Sequence, residues 1–298
     1  MKLSVVIVVH NDQRIYNCIK ALMNQSILRD EYEIIVVDNK STDKTADIIK
    51  GFPVKYIYED RLGMCWARNT GIDSSSTEIV VFTDADCVPS PNWLKELSFP
   101  FEDSSVGGVG GLIMKLDDET EIAQAARDLV IGQQKEPQYL PMYPAPYIVT
   151  ANAAYRRNVL IEIGCFDPQF FSGGDVDIAW RVQMAGYKIN LVNGAVVFHA
   201  SRSSSRAYFR QFYRYGLGHA LLFKKFRKYT NKWGLVNKYP FVELTRLVLI
   251  RTPSLLFNSL LNGFDKIKWM TLGLDLIEYI ALICGDLVGA IRYRVPYI

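Results

Sequence analysis

Residues 3–12 of the chain read LSVVIVVHND, an apolar run rich in β-branched residues that ends in three polar side chains. Runs of this kind are typical of strands that are buried on both faces. Three further runs follow, at residues 34–37, 54–58 and 79–82. Helical patterns lie between them, near residues 14–24, 43–50 and 64–73. The order βαβαβαβ predicts an α/β fold with a mainly parallel sheet and helices on both faces.

Polar side chains follow each of the four predicted strands. The strand ends read His10-Asn11-Asp12, Asp38-Asn39, Glu59-Asp60 and Asp84-Ala85-Asp86. In parallel sheets, ligands bind beyond the carboxyl ends of the strands. A single aspartate after a strand is often a loop or helix cap, but four polar strand ends in succession predict a ligand site at one edge of the sheet.

The pair Asp84 and Asp86 directly follows the fourth apolar run. Side chains two residues apart on an extended segment point the same way. Two carboxylates in this arrangement make a hard-oxygen site for Mg²⁺ or Mn²⁺, and the ion can in turn hold a diphosphate. An isolated pair of aspartates with this spacing also occurs in solvated loops. The surrounding motifs decide between a metal site and a solvated loop.

Further motifs surround this pair in a fixed order. They are VVIVVHN at 5–11, DNKSTD at 38–43, GMCWARNTG at 63–71, ANAAYRR at 151–157, GGDVDIAWR at 173–181 and VFH at 197–199. The set resembles family 2 glycosyltransferases, which are inverting enzymes with the GT-A fold, over about residues 3–215. The resemblance implies a nucleotide-diphosphate-sugar donor, a hydroxyl acceptor, and Mn²⁺ or Mg²⁺ as cofactor.

The resemblance also implies roles for donor-site residues. Asn11 and Asp38 match the residues that cradle the nucleotide base and ribose, and Arg68 matches a donor-site arginine. Asp84 and Asp86 match the donor and metal pair, with Asp86 favoured as the direct metal ligand.

Other roles fall on the second half of the matched region. His199 matches a histidine that completes the metal site, Asn152 is assigned to the acceptor or diphosphate, and Asp175 falls where the family places its general base. The chain has Gly174 where the family commonly has a glutamate before that base, and Asp177 is a rival for the role.

Charge is unevenly distributed along the chain. The formal net charge is only +3, yet residues 1–177 carry 16 basic against 26 acidic residues, and residues 178–242 carry 12 basic residues and no acidic one. This split predicts two parts that meet different partners.

The five cysteines are scattered and never spaced as CxxC, which argues against disulfides and structural zinc and predicts a reducing compartment.

The basic segment at residues 202–228 alternates cationic and aromatic side chains. Within it, residues 211–215 (QFYRY) resemble the QxxRW element of processive family members, so Gln211 and Arg214 are expected to contact acceptor or diphosphate. Anionic lipid headgroups or a lipid-phosphate acceptor are the favoured partners of this segment. A plain solvated or salt-bridged helix is the alternative, and nucleic acid is not expected as a partner.

Two C-terminal stretches, residues 240–264 and 269–291, are apolar but contain charged residues, so neither is expected to span a membrane. On a helical wheel, the second has an apolar face opposite an acidic stripe of Asp275, Glu278 and Asp286. This pattern predicts an amphipathic helix that packs on the protein and contacts a membrane surface. In the alternative, the helix packs internally and the acidic stripe pairs with the basic helix.

Together these features predict a GT-A catalytic domain over residues 1–205 and a basic, amphipathic helical region over residues 206–298. We expect an inverting glycosyltransferase that acts on a lipid-linked or cell-surface glycan intermediate, on the cytoplasmic side of a membrane as a peripheral or monotopic protein. A polyprenyl-phosphate glycosyltransferase and a non-catalytic nucleotide-binding or scaffold protein are the alternatives. The Gly-rich loop of a nucleotidyltransferase is absent after the first strand.

Overall fold

The computed structural model describes residues 2–116, 125, 145–200, 204–229 and 237–297, which divide into two compact units. The first unit contains the described residues up to Leu116 and from Ala145 to Ala200, and the second contains the others.

Strands and helices alternate in the first part of the first unit, as the apolar runs predict. Its strands are β1 (Leu3–Val9), β2 (Tyr32–Asp38), β3 (Lys55–Tyr58), β4 (Ile79–Asp84), β5 (Cys87–Pro89), β6 (Val106–Lys115), β7 (Asn152–Arg156) and β8 (Lys188–His199). Its helices are α1 (Ile15–Leu22), α2 (Thr45–Lys50), α3 (Met64–Asp73), α4 (Trp93–Ser98), α5 (Arg157–Glu162) and α6 (Gly174–Met184).

These strands form one sheet in the order β3-β2-β1-β4-β7-β6-β8-β5. The four strands β1 to β4 are parallel to one another, and β6 is parallel to β8. Strand β7 is antiparallel to both β4 and β6, and β5 is antiparallel to β8. The sheet is therefore mixed but mostly parallel, in agreement with the predicted fold class.

Helices cover both faces of the parallel half. Val5 and Ile7 of β1 join a buried apolar cluster with residues of α1 and α4. Val6 points to the opposite face, because successive side chains of a strand alternate. On that face α3 lies so close that a Cβ atom on Gly71 would stand 2.3 Å from Cγ1 of Val6. The prediction of helices on both faces is thus confirmed.

The second unit is helical. It contains α7 (Ser205–Phe226), α8 (Lys238–Arg246), a π-helical turn (Leu247–Arg251), α9 (Thr252–Asn262) and α10 (Lys266–Tyr293). Helices α7 and α10 approach closely at glycines, since a Cβ atom on Gly216 would lie 2.4 Å from the carbonyl oxygen of Leu282. Among the described residues, none of the helices has the length and apolar character needed to cross a membrane.

Helix α10 is oriented with its acidic stripe inward. Asp275, Glu278 and Asp286 are all at most 5% exposed. The apolar face of the same helix is turned outward, and Ile291 is 79% exposed. The predicted amphipathic pattern is present, but the buried side is the charged one.

The buried acids have specific partners within the second unit. The hydroxyl of Tyr208 on α7 donates to Glu278 at 3.3 Å, and Nδ1 of His219 on α7 lies 3.3 Å from Oδ1 of Asp286. Arg251 pairs with Asp275. The acidic stripe therefore does pack against α7, and its contacts on that helix include a tyrosine and a histidine.

We expect Glu278→Gln to raise the melting temperature at pH 8 and to change it little near pH 4.5. Burial and the neighbouring Asp275 raise the pKa of Glu278 from its ordinary value of 4.5 to about 7. A raised carboxyl pKa means that the folded state favours the protonated form, so stability falls as the pH rises from 4.5 through 7. The neutral amide avoids this loss.

The measurement is thermal denaturation across this pH range, with Glu243→Gln as the control because Glu243 pairs with Arg246 near the surface. An equal gain at both ends of the pH range would contradict the prediction.

Candidate active site

The carboxyl ends of β1, β2 and β4 lie side by side. In the sheet register, Val9 of β1 is opposite Asp38 of β2, and Val8 is opposite Asp84 of β4. The residues that follow these strands therefore share one edge of the sheet, as the sequence predicts. Glu59, which follows β3, is paired with Arg61 at 2.7 Å.

Asn11 and Asp38 fix the loops at this edge. The side-chain oxygen of Asn11 accepts a hydrogen bond from the backbone N–H of Thr42 at 2.7 Å, and the Asn11 backbone N–H donates to the Ser41 hydroxyl at 2.9 Å. Asp38 is buried, and its carboxylate accepts from the Ser41 backbone N–H and from the Tyr56 hydroxyl, both at 2.9 Å. The two predicted nucleotide-binding residues thus hold the same loop from the ends of two neighbouring parallel strands.

Arg68 supplies a buried positive charge beside this edge. It lies on α3, is 5% exposed, and its guanidinium is 5.5 Å from the ring centre of Phe166. Its Nη2 atom is 3.5 Å from Oδ1 of Asp84. A cation held in a site of low exposure interacts strongly with an anionic ligand.

The sequence predicts that Asp84 and Asp86 lie on one extended segment with their side chains pointing the same way. This prediction is wrong. Asp84 ends β4, a turn occupies Ala85 and Asp86, and β5 begins at Cys87. In the structure, Asp84 pairs with Arg68, and Asp86 lies beside His199.

Asp86 lies between two cationic or potentially cationic groups. Its Oδ1 atom is 3.5 Å from Nε2 of His199, and its Oδ2 atom is 3.4 Å from Nη2 of Arg14. The antiparallel pairing of β5 with β8 brings His199 here, because Cys87 and His199 are opposite each other in the register. Sequence reasoning missed Arg14, although its position five residues beyond the seven-residue run that forms β1 was a usable signal.

Asp86 and His199 fit a divalent cation. With Cys87 they bring one ligand atom each to within 4.8 Å of one another. Carboxylate oxygen and imidazole nitrogen are ligands that suit Mn²⁺. Burial raises the pKa of the Cys87 thiol well above its usual range, which disfavours the thiolate form that binds metal ions. Among the residues that the structure describes, Asp84 does not belong to this group of ligand atoms.

Asp175 is the second residue of α6, and its carboxylate accepts from the backbone N–H of Val176 at 2.9 Å. Burial raises its pKa, and the positive charge of Arg68 acts in the opposite direction. Asp177, the rival, is fully buried and paired with Arg181 at 2.5 Å. That ion pair gives Asp177 a structural role and leaves Asp175 as the candidate base.

Gly174 is constrained by its neighbour Cys65. A Cβ atom on Gly174 would lie 2.8 Å from Sγ of Cys65, which is itself 3% exposed. A side chain at position 174 would therefore require Cys65 to move. This contact gives a physical reason for a glycine at the position before Asp175.

Asn152 is committed to the sheet. It is fully buried, its side-chain oxygen accepts from the indole N–H of Trp93 at 2.8 Å, and its amide donates to the carbonyl oxygens of Leu112 and Ala195 at 2.8 and 2.9 Å. These contacts join β7 to β6, β8 and α4. We therefore assign Asn152 to the fold rather than to the predicted contact with acceptor or diphosphate.

Gln211 and Arg214 lie on α7 in the second unit. The Gln211 amide donates to the Tyr215 hydroxyl at 2.7 Å, and Arg214 is exposed. Their contact with acceptor or diphosphate stays a prediction.

Comparison with known proteins gives a family match. A family model described as "Glycosyl transferase family 2" matches residues 4–164. The "Glycosyltransferase AglE" of Haloferax volcanii is 31% identical over 222 residues, which cover 72% of this chain and 72% of the relative. A Methanococcus voltae protein, "Dolichyl N-acetyl-alpha-D-glucosaminyl phosphate 3-beta-D-2,3-diacetamido-2,3-dideoxy-beta-D-glucuronosyltransferase", is 24% identical and covers 75% of this chain and 74% of its own length.

A solved structure has a similar fold. The mannosyltransferase PcManGT from Pyrobaculum calidifontis, in complex with GDP-Man and Mn²⁺, superposes with a TM-score of 0.65 at 19% identity. The superposition covers 97% of this chain and 86% of that chain. The GT-A fold implied by the sequence motifs is confirmed.

We expect Asp86→Asn to weaken Mn²⁺ binding, measured in the presence of UDP or GDP, by about tenfold or more, because it removes an anionic ligand from the ion. The matched control is Asp60→Asn, which neutralises an exposed carboxylate after β3. Binding can be followed by titration calorimetry or by the paramagnetic signal of free Mn²⁺. Unchanged Mn²⁺ affinity in the Asp86 variant would remove Asp86 from the metal site.

Proposed function

Because the chain belongs to glycosyltransferase family 2, we propose that it transfers a sugar from a nucleotide-diphosphate-sugar donor to an acceptor hydroxyl with inversion of configuration. The observation that carries this proposal is the Asp86–His199 pair at the carboxyl edge of the sheet, which Asp38 shares at the end of β2, two strands from β4. This is the edge at which ligands of parallel sheets bind.

The donor is proposed to lie along this edge. Asn11 and Asp38 lie at this edge and fix the loop at Ser41 and Thr42, and the sequence resemblance assigns them to the base and ribose. Arg68 supplies a positive charge for the donor. A divalent ion held by Asp86 and His199 would neutralise the negative charge that develops on the departing diphosphate.

Asp175 is the proposed general base. Its carboxylate is at the N-terminus of α6, where the helix dipole stabilises negative charge. Its raised pKa brings the group closer to the range in which a carboxylate accepts a proton efficiently. In a direct displacement, Asp175 takes the proton of the acceptor hydroxyl as the oxygen attacks the anomeric carbon, on the face opposite the diphosphate.

A lipid-linked or glycan acceptor is proposed from the relatives and from the second unit. The Methanococcus voltae relative is named for a dolichyl phosphate sugar. Residues 238–264 carry highly exposed apolar side chains, among them Leu249, Phe257, Leu260, Leu261 and Phe264, each at least 62% exposed. Such an apolar surface is typical of a membrane contact. We therefore include peripheral attachment to an anionic bilayer in the proposed function.

A polyprenyl-phosphate acceptor is the second candidate. The specific observation in its favour is the exposed stripe of Arg206, Arg210 and Arg214 on α7, spaced four residues apart. Arginine is well suited to bind phosphate. Assays with a polyprenyl phosphate and with a lipid-linked sugar as the acceptor distinguish the two: transfer to the phosphate alone would favour this candidate.

Asp175→Asn should lower turnover by about 10²–10⁴-fold, because the amide cannot accept the acceptor proton. Binding of UDP or GDP with Mn²⁺ should persist in this variant. The contrasting variant is Asp177→Asn, which breaks the buried pair with Arg181 and should lower the melting temperature. Wild-type turnover in Asp175→Asn would exclude it as the base, and retained stereochemistry in the product would exclude direct displacement.

Membrane attachment predicts that the double variant Phe257→Asp, Leu260→Asp loses binding to vesicles of phosphatidylcholine and phosphatidylglycerol. Charged side chains in place of exposed apolar ones oppose insertion into the bilayer interface. Leu28→Asp is the matched control, because Leu28 is 70% exposed in the first unit. Co-sedimentation is the measurement, and equal loss in the control, or no loss in the double variant, would contradict attachment through this surface.

A further inference from the structure

Arg14 connects the loop after β1 to the candidate metal ligand. Its Nη2 atom lies 2.5 Å from Oδ2 of Asp12 and 3.4 Å from Oδ2 of Asp86. Its Nε atom donates to Oδ1 of Asp12 at 2.8 Å. The guanidinium is thus held by a fork of two hydrogen bonds to Asp12 and reaches the Asp86 carboxylate from that position. Asp12 directly follows Asn11, the proposed base-binding residue.

The contact places a permanent positive charge where a divalent ion is expected. The Asp86 carboxylate has one oxygen near His199 and the other near Arg14, and Asp86 is only 8% exposed. An ion bound to Asp86 would lie close to the guanidinium of Arg14, whose Nη2 atom is 3.4 Å from Oδ2 of the same carboxylate. Like charges in such a position repel, so Arg14 opposes the binding of a metal ion alone.

A diphosphate reverses this balance. It brings several negative charges to the same place, and the planar fork of an arginine is well matched to phosphate oxygens. The Arg14 side chain is 45% exposed, so it is free to exchange the Asp86 contact for a diphosphate contact.

We propose that Arg14 is a positioning residue that couples metal binding to donor binding. With no donor bound, it pairs with Asp86 and keeps metal affinity low. With the donor bound, it turns to the diphosphate and leaves Asp86 to the ion. The inference rests on the proposed function, since it requires a diphosphate donor and a metal ion at Asp86.

Coupling of this kind is reciprocal. If a nucleoside diphosphate raises the affinity for the metal ion, the metal ion raises the affinity for the nucleoside diphosphate by the same factor. Arg14 therefore makes the metal and the nucleotide bind together rather than separately. A site built in this way takes up little metal until the donor arrives.

The test compares Mn²⁺ affinity in wild type and in Arg14→Gln, measured first with Mn²⁺ alone and then with UDP or GDP present. Arg14→Gln is expected to bind Mn²⁺ alone about three- to tenfold more tightly than wild type, because a repelling charge is gone. The gain in Mn²⁺ affinity on adding nucleotide is expected to be smaller than in wild type by a similar factor. Arg14→Lys, which keeps the charge, should not show the gain in affinity for Mn²⁺ alone.

Lys20→Gln is the matched control. Lys20 is an exposed cation on α1, the helix that follows Arg14, and lies 5.9 Å from the ring centre of Tyr16. The Lys20→Gln variant should leave the Mn²⁺ affinity unchanged. Thermal melting of every variant tests whether it folds. An equal gain for Lys20→Gln would overturn the inference, because the effect would then come from net charge.

The inference would also be overturned if Arg14→Gln bound Mn²⁺ alone no more tightly than wild type does. In that case the proposed function would still stand, provided that wild type binds Mn²⁺ in the presence of the nucleotide. If wild type binds no Mn²⁺ with UDP or GDP present, the proposed metal-assisted function fails and the inference fails with it.

Discussion

The parallel pairing of β1 with β2 and β4 is the constraint on which the candidate site depends. Parallel strands in register end at the same edge, so side chains separated by dozens of residues in the sequence meet there. Val8 and Val9 of β1 are opposite Asp84 and Asp38. The antiparallel pair of β5 and β8 then adds His199 to this edge beside Asp86. The fold thereby gathers polar groups from four separate parts of the chain.

The first four strands and the helices between them could be predicted because their signals are local. Buried parallel strands are continuous apolar runs, and the polar residues after each run mark where the strand ends. Both signals are visible in a few consecutive residues. The candidate residues Asn11, Asp38 and Asp86 follow runs of this kind, whereas His199 was identified only from the resemblance to family 2 glycosyltransferases. Their contacts in the structure are compatible with the roles that the resemblance implies, and the roles themselves stay proposals.

Contacts that depend on tertiary packing could not be predicted. The turn at Ala85 between Asp84 and Asp86, and the burial of the Asn152 side chain against β6, β8 and α4, follow from tertiary packing around the sheet as a whole. The orientation of α10 is a similar case. The helical wheel of α10 shows an apolar face and an acidic face. Which of them is buried depends on α7, whose Tyr208 and His219 contact Glu278 and Asp286.

Cys87 has a consequence for the choice of metal ion. Its thiol belongs to the same group of ligand atoms as Asp86 and His199, and sulfur strongly prefers soft, thiophilic ions such as Cd²⁺ or Cu⁺. To bind one of these, the thiol must first lose its proton, and burial makes that loss costly. In the proposed metal site, burial of this single cysteine therefore disfavours the thiolate and leaves the Asp86 carboxylate and the His199 imidazole as the favoured ligands.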